Sequence, residues 1–325
     1  MFINDQKQFD HWFKSFNPSF YVGIDTEFTR TTTFFPILCL FQISTQQETV
    51  VIDSMAVNIQ SLLEKINADP IIIKIIFAGR QDVEALFHQY NILLHPIFDL
   101  QIACDFLGYK ENTSLAHIVL DICHKTINKH HQKIDWSQRP LTDDMIHYAY
   151  HDSHFLIPIY KELKKKLIEQ QRYEWVLEES HNILTQVMDQ GYDYFKKKIF
   201  HPKAKNLALK QEFVLWREYH ARFHNIPRRR VFEDKTIHEI KPTDIPWTPN
   251  ISNDSYCCDQ KIIPLYLKKM KKIMKIAKKH SIPKRYFYYP MDIVKLIGCP
   301  FESNILLEGW RYELLKDILH NDTSL

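Results

Sequence analysis

The chain has 325 residues, of which 45% are apolar and 25% charged, and only 6 are glycine. These proportions suit a folded protein and exclude a collagen-like or low-complexity chain. No run of 18 uncharged apolar residues occurs, so no membrane span is expected. The formal charge of +3 conceals an asymmetry: residues 1–160 carry 11 Lys+Arg against 18 Asp+Glu, and residues 161–325 carry 31 against 21. An acidic half joined to a basic half fits a cation-using enzyme with a polyanion-binding appendage, and also charge scattered over solvated faces.

The N-terminal stretch MFINDQKQFDHWFKSF has acids and aromatics where a signal peptide has an apolar core, and reads as mature cytoplasmic chain. The six cysteines show no CxxC spacing, which argues for a reduced compartment and against a cysteine-based zinc site. Three β-branched and aromatic runs follow: YVGIDTEF, LCLFQIST and TVVIDS predict an antiparallel meander. A helix is expected from Val57 to Ile66, a strand over 71–77, and a helix through Asp82, Leu86 and Tyr90. Helices at 100–108 and 114–124 complete an α/β domain.

From Pro140 a long helix is predicted, N-capped by Thr142, with Asp143 and Asp144 in its first turn, where acids favour the helix dipole. Pro158 should kink or break it. Beyond residue 165 strand signals largely stop, and helical periodicity rich in Lys and Arg takes over, interrupted by a Pro-rich segment from Pro242 to Pro249.

Asp25 and Glu27 interrupt the first of these strands. Residues i and i+2 of a strand share a face, so the two carboxylates project together and repel unless a cation bridges them or one is protonated. An exposed edge strand would tolerate the same pair. Asp82 stands at a strand-to-helix junction, where a helix N-terminal charge is also ordinary. Tyr148 and Asp152 lie four apart on one helical face, as a packed ring and an exposed acid also would. Each feature alone is weak. As an ordered set they supply four carboxylates and a phenol, a donor set for hard cations such as Mg²⁺ or Mn²⁺. Two such ions about 3.5–4 Å apart stabilise the attacking and leaving oxygens of phosphodiester cleavage.

The ordered segments DTEFTRTTTFFPILCLFQIS, AGRQDVEAL and KIDWSQRPLTDDMIHYAYHD resemble the three motifs of the tyrosine-bearing branch of the DEDD 3′-5′ exonucleases, and bacterial ribonuclease D in particular. The resemblance implies a ribonuclease H-like mixed-sheet exonuclease domain over 1–170. It implies a first metal on Asp25, Glu27 and Asp152, and a second shared by Asp25 and supported by Asp82 through water. Tyr148 would orient the attacking water, and the product would be a nucleoside 5′-monophosphate. Phe28 would wedge against the terminal base, with Trp136 and Arg139 touching RNA. Where the family carries a His before Ala-Gly, this chain has Phe77.

The segment FVLWREYHARFHNIPRRRVFEDKTIHEI resembles the start of a helicase-and-ribonuclease-D C-terminal (HRDC) domain, on Trp216-Arg217, Asn225-Ile226-Pro227 and Val231-Phe232. ILLEGWRYELLKDIL, residues 305–319, resembles that family's closing helix. The expected organisation is therefore an exonuclease domain, a helical linker over 171–204, and an all-α HRDC-like region over 205–325 with a shortened or divergent second module. Arg228, Arg229 and Arg230, and the run LKKMKKIMKIAKKH, offer charge for RNA phosphates. Leu267, Met270, Ile273, Met274 and Ala277 would pack inward, leaving that lysine run as a solvated face.

The expectation is a monomeric, cytoplasmic, metal-dependent 3′-5′ exoribonuclease. Its substrates would be structured RNA with a 3′ end, and the resemblance points to tRNA precursors. Two rivals stand beside it. One is a 3′-5′ DNA exonuclease of repair, since no reader of the 2′-hydroxyl is recognisable. The other is a catalytically silent RNA-binding protein that keeps the fold.

Overall fold

The structure is a computed structural model that describes residues 1–18, 20–127, 134–188, 207–233, 262–287, 292–293 and 304–320. The chain divides into two compact units: Met1–Thr31 with Phe35–Met188, and Thr32–Phe34 with Asp189–Leu325. No helix among the described residues is long and apolar enough to cross a membrane. The Pro242–Pro249 segment and Cys257, Cys258 and Cys299 lie outside the described residues.

The first unit is built on a six-stranded mixed sheet. Its strands are β1 (Phe2–Ile3), β2 (Tyr21–Thr29), β3 (Ile37–Ser44), β4 (Thr49–Asp53), β5 (Ile73–Ile76) and β6 (Ile97–Asp99), in the order β1-β4-β3-β2-β5-β6. β2, β3 and β4 form the expected antiparallel meander, while β1 joins β4, and β5 and β6 extend the other edge, all in parallel. β1 and β6 were not expected from the sequence, because two or three residues are too short to show a period. The sheet is nonetheless fully committed: every residue of β4 is buried, as are Val22, Ile24, Leu38, Leu40, Phe41 and Ile75.

The helices are, in chain order, α1 (Gln6–Ser15), α2 (Gln60–Ala68), α3 (Arg80–Tyr90), α4 (Leu100–Phe106), α5 (Leu115–Cys123), α6 (Asp143–His154), α7 (Leu156–Glu169) and α8 (Tyr173–Met188). Thr142 caps α6 as expected, its side chain accepting the Met145 N–H at 3.3 Å, a bond worth about 1 kcal/mol. The break after α6 falls at Phe155 rather than at Pro158. Pro158 therefore sits in the first turn of α7, where its missing N–H costs no helical hydrogen bond. The chain turns three residues earlier than the proline suggests.

α6 crosses close over β2, β3 and β4, and α7 over β2 and β5. Gly23 permits this approach. A Cβ there would overlap Ser44 Oγ and come within 3.1 Å of Leu156 Cβ and 3.2 Å of Ser153 O. Ser44 Oγ donates to Ser153 O at 2.8 Å, which ties β3 to the end of α6. α8 packs on α3, α4 and β6 and so belongs to the first unit.

The second unit is helical in its described residues: α9 (Leu207–Phe223), α10 (Arg228–Val231), α11 (Ile262–Lys279) and α12 (Gly309–His320). Asn225 adopts a left-handed φ of 49° at the turn out of α9. Glu218, 1% exposed, accepts from Arg222 at 3.1 Å and from two nitrogens of Arg228 at 2.5 and 2.7 Å. Arg217 donates to Phe232 O at 3.0 Å, and the Phe213 and Phe232 rings meet edge to face at 4.8 Å. On α11 Ile273 and Ala277 are buried as expected, but Met274 is 42% exposed and Lys269 is buried.

Candidate active site

β2 presents Gly23, Asp25 and Glu27 on the face covered by α6, and a register shift between Glu27 and Phe28 ends the regular pairing there. Asp152, on the last turn of α6, closes over them. One ligand oxygen from each of Asp25, Glu27 and Asp152 lies within 4.8 Å of the others, a spacing suited to one metal ion. Tyr148, one helical turn before Asp152, hydrogen-bonds to its carboxylate. Asp82 enters from the first turn of α3, and Thr26 Oγ1 donates to its Oδ1 at 2.5 Å. The five residues expected from the sequence thus come from three elements.

The electrostatics of the cluster are those of carboxylates buried close to one another. Burial, and then the charges of Asp82, Asp152 and Glu27, hold the Asp25 carboxyl well above the usual carboxylate range. Burial does the same to Glu27, aided by Asp152 and Asp82. Burial pushes Asp82 up to about 6 against the opposing Thr26 hydrogen bond, and Asp152 up to about 6 against that of Tyr148. Burial and the neighbouring carboxylates also raise Tyr148, which stays protonated near neutrality and serves as a hydrogen-bond donor.

Two further observations fit a divalent cation with its water shell. The all-oxygen donor set suits Mg²⁺ or Mn²⁺ and not a soft metal. Gln42 lies in register with Asp25 on β3 and is 0% exposed, yet neither Nε2 nor Oε1 has a hydrogen-bond partner among the described residues. A buried amide left open costs about 1–3 kcal/mol, a cost that a hydrated ion beside Asp25 would relieve. The sequence reading missed Gln42 and Thr26; Thr26 lies between the two acids of DTE, and Gln42 is a lone amide in the apolar run LCLFQIS.

One of the expected RNA contacts, Trp136, requires correction, and a second, Arg139, has partners within the protein. Trp136 is 2% exposed and packs on Tyr148, with ring centroids 5.9 Å apart. Arg139 is exposed but its guanidinium is engaged: Nε and Nη2 hold Asp53 at 2.6 Å each, Nη1 donates to Trp136 O and Gln138 O at 2.7 Å, and Nη2 to Cys39 O at 3.2 Å. These are struts that fix the segment before α6 to β3 and β4, and so place Tyr148 and Asp152. Arg228 is likewise engaged with Glu218, whereas Arg229 and Arg230 are exposed. Phe28 is half-buried just past the register shift.

A sheet of this order, with acids from β2, α3 and α6 converging on one point, defines a metal-dependent nuclease architecture. A family model described as 3′-5′ exonuclease matches residues 1–168, and the chain belongs to that family. Among curated proteins it is similar to ribonuclease D of Nitrobacter hamburgensis, 35% identical over 67% of this chain and 58% of that one. It is also similar to ribonuclease D of Bartonella henselae, 35% identical over 68% and 55%. These alignments span little more than half the length of either relative. The crystal structure of Escherichia coli RNase D shares the fold at a TM-score of 0.75, covering 99% of this chain and 97% of that one at 21% identity.

Proposed function

We propose that the protein is a metal-dependent 3′-5′ exoribonuclease that removes nucleoside 5′-monophosphates from the 3′ ends of structured RNA, with tRNA precursors as the substrate class. The observation that carries this reading is the meeting of Asp25, Glu27 and Asp152 within 4.8 Å beneath a Tyr148 bonded to Asp152. The ribonuclease D relatives supply the RNA part.

Asp25, Glu27 and Asp152 would hold one divalent cation, and Asp25 with Asp82 a second. Bound Mg²⁺ or Mn²⁺ supplies charge neutralisation at the scissile phosphate and a water of lowered pKa. The protein's own groups do the positioning. Tyr148 donates and accepts at its hydroxyl, so it orients the attacking water without ionising. Thr26 holds Asp82 toward the cluster, and Arg139 with Trp136 fixes the approach of α6. Phe28 stands beside the carboxylates as the wedge against the terminal base. The second unit is read as an HRDC-like appendage whose exposed Arg229 and Arg230 contact RNA phosphates.

The test is trimming of a 5′-labelled RNA strand and its matched DNA strand by wild type and Asp25→Ala, with Mg²⁺ or Mn²⁺ present. The expected result is stepwise shortening of the RNA with release of 5′-monophosphates by wild type, and a loss of at least a thousandfold in the variant. Preferential degradation of DNA would identify a repair exonuclease instead. Binding of RNA by both proteins with trimming by neither would make the protein a silent RNA binder.

A further inference from the structure

We propose that Asp99 is a positioning residue for Asp82, acting through the Ala78–Gly79 turn that launches α3. The proposal deepens the exonuclease reading and rests on Asp82 being a metal-supporting carboxylate.

Asp99 ends β6 in register with Ile76, the last residue of β5. It is 2% exposed. Its Oδ1 accepts the Ala78 N–H at 3.0 Å and its Oδ2 accepts the Gly79 N–H at 3.0 Å, so the two carboxylate oxygens span two successive amides. Oδ1 also accepts the Gln101 N–H at 2.8 Å. A carboxyl group carries an oxygen on both arms where an amide carries one, and successive amides of a turn form a concavity that favours an anion. Burial raises the Asp99 carboxyl, and these amide bonds oppose the rise.

The turn needs this support. Ala78 sits at φ 54°, a left-handed conformation unfavourable to a residue with a Cβ. A Cβ on Gly79 would fall 2.6 Å from the Ile76 side chain, so the turn is pressed tightly on β5. Gly79 is the N-cap of α3 and provides no capping side chain. Asp82 is the third residue of that helix, less than one turn beyond. Thr26 holds Asp82 through its hydroxyl and its backbone, and the third hold on the carboxylate is the Asp82 amide itself, which belongs to the first turn of α3. Asp99 sets that start. Behind it, the Asp99 N–H donates to Ser180 Oγ at 3.0 Å, and Ser180 is fully buried on α8. The support thus runs from α8, beyond residues 1–168 of the family match, to a carboxylate of the site.

The experiment compares wild type, Asp99→Asn, Asp82→Asn and the double variant as full-length, metal-free proteins titrated with Mn²⁺ in a calorimeter. Melting temperature is measured alongside, with kcat and KM on an RNA strand. Asn keeps the shape but turns an NH₂ toward one of the two amides. Asp99→Asn is expected to weaken one Mn²⁺ binding event at least fivefold and lower kcat at least tenfold, with KM for RNA within twofold. In the Asp82→Asn background it should change Mn²⁺ binding no further. A drop in melting temperature with Mn²⁺ affinity and kcat unchanged would overturn the proposal, as would equal losses in both backgrounds. Should Asp99→Asn fail to fold, Ser180→Ala keeps the carboxylate and loosens its backbone anchor. It must then weaken the same Mn²⁺ event at least twofold, and unchanged binding overturns the proposal. Wild type that binds Mn²⁺ but trims no RNA defeats the exonuclease reading alone, because the calorimetric comparison still decides Asp99. Wild type that takes up no Mn²⁺ defeats both.

Discussion

In its own strand Asp25 gains a backbone hydrogen bond from Thr26, which burial and the neighbouring carboxylates outweigh. Burial raises Asp25, Glu27, Asp82 and Asp152 together, the latter two to about 6. The folded metal-free protein therefore holds protons that the unfolded chain has released, over a window from the ordinary value of 3.8 up to about 6 for Asp82 and Asp152. Where the folded state binds more protons, stability falls as pH rises, so the site's contribution is present below that window and lost above it. The melting temperature of metal-free protein should fall on this account between pH 5 and 7.5, and the rise on adding Mn²⁺ should be larger at pH 7.5. Asp25→Asn should raise the metal-free melting temperature at pH 7.5 while losing activity. Calorimetric melts at the two pH values check both expectations, and an equal Mn²⁺ effect at both would contradict them. DTEF raised this tension without deciding it, since an exposed edge strand would tolerate two acids on one face as well. The roles of Trp136 and Arg139 were not legible. Both residue types serve RNA contacts and internal struts alike, and only the partners Tyr148 and Asp53 separate the two uses.

At the scale of elements, the site depends on how closely α6 and α7 approach β2. Gly23 is the contact point, with Ser44 Oγ, Leu156 Cβ and Ser153 O crowding its missing side chain. Gly23→Ala should force β2 away from these helices and destabilise the protein by about 1–3 kcal/mol, the usual cost of overpacking. A denaturant midpoint that does not move would show that the contact has slack. Element type was readable where the local signal was strong: β2 to β4 by their β-branched and aromatic runs, α6 by its cap and first-turn acids. It failed where length or local chemistry was ambiguous. β6 is three residues, and its Asp99 also caps α4. Its hold on the Ala78–Gly79 turn arises from the parallel pairing of β5 and β6, which no local pattern states.

Across the whole molecule, charge is divided as the sequence shows, with excess acid before residue 160 and excess base after it. Of the three consecutive arginines, Arg228 is taken by Glu218, leaving Arg229 and Arg230 exposed. Replacing both by Ala should lower RNA affinity uniformly across sequences and reduce the slope of log K against log[salt] by about 1.4, at about 0.7 per phosphate of a single strand. Turnover at saturating RNA should not change. Fluorescence anisotropy across a salt series measures the slope, and an unaltered slope would remove these residues from the interface.

By itself the sequence determined the residue types of the site, their order, and the strand and helix periods that present Asp25 with Glu27 and Tyr148 with Asp152. Those are consequences of backbone geometry within a few residues. Only the tertiary structure decided that acids 57 and 127 residues beyond Asp25 meet it, that Gln42 lies open beside it, and that Asp99 reaches the turn before Asp82. Such meetings depend on strand pairing and helix crossing between distant segments, where the contact is set by packing of the whole sheet and leaves no period in the chain.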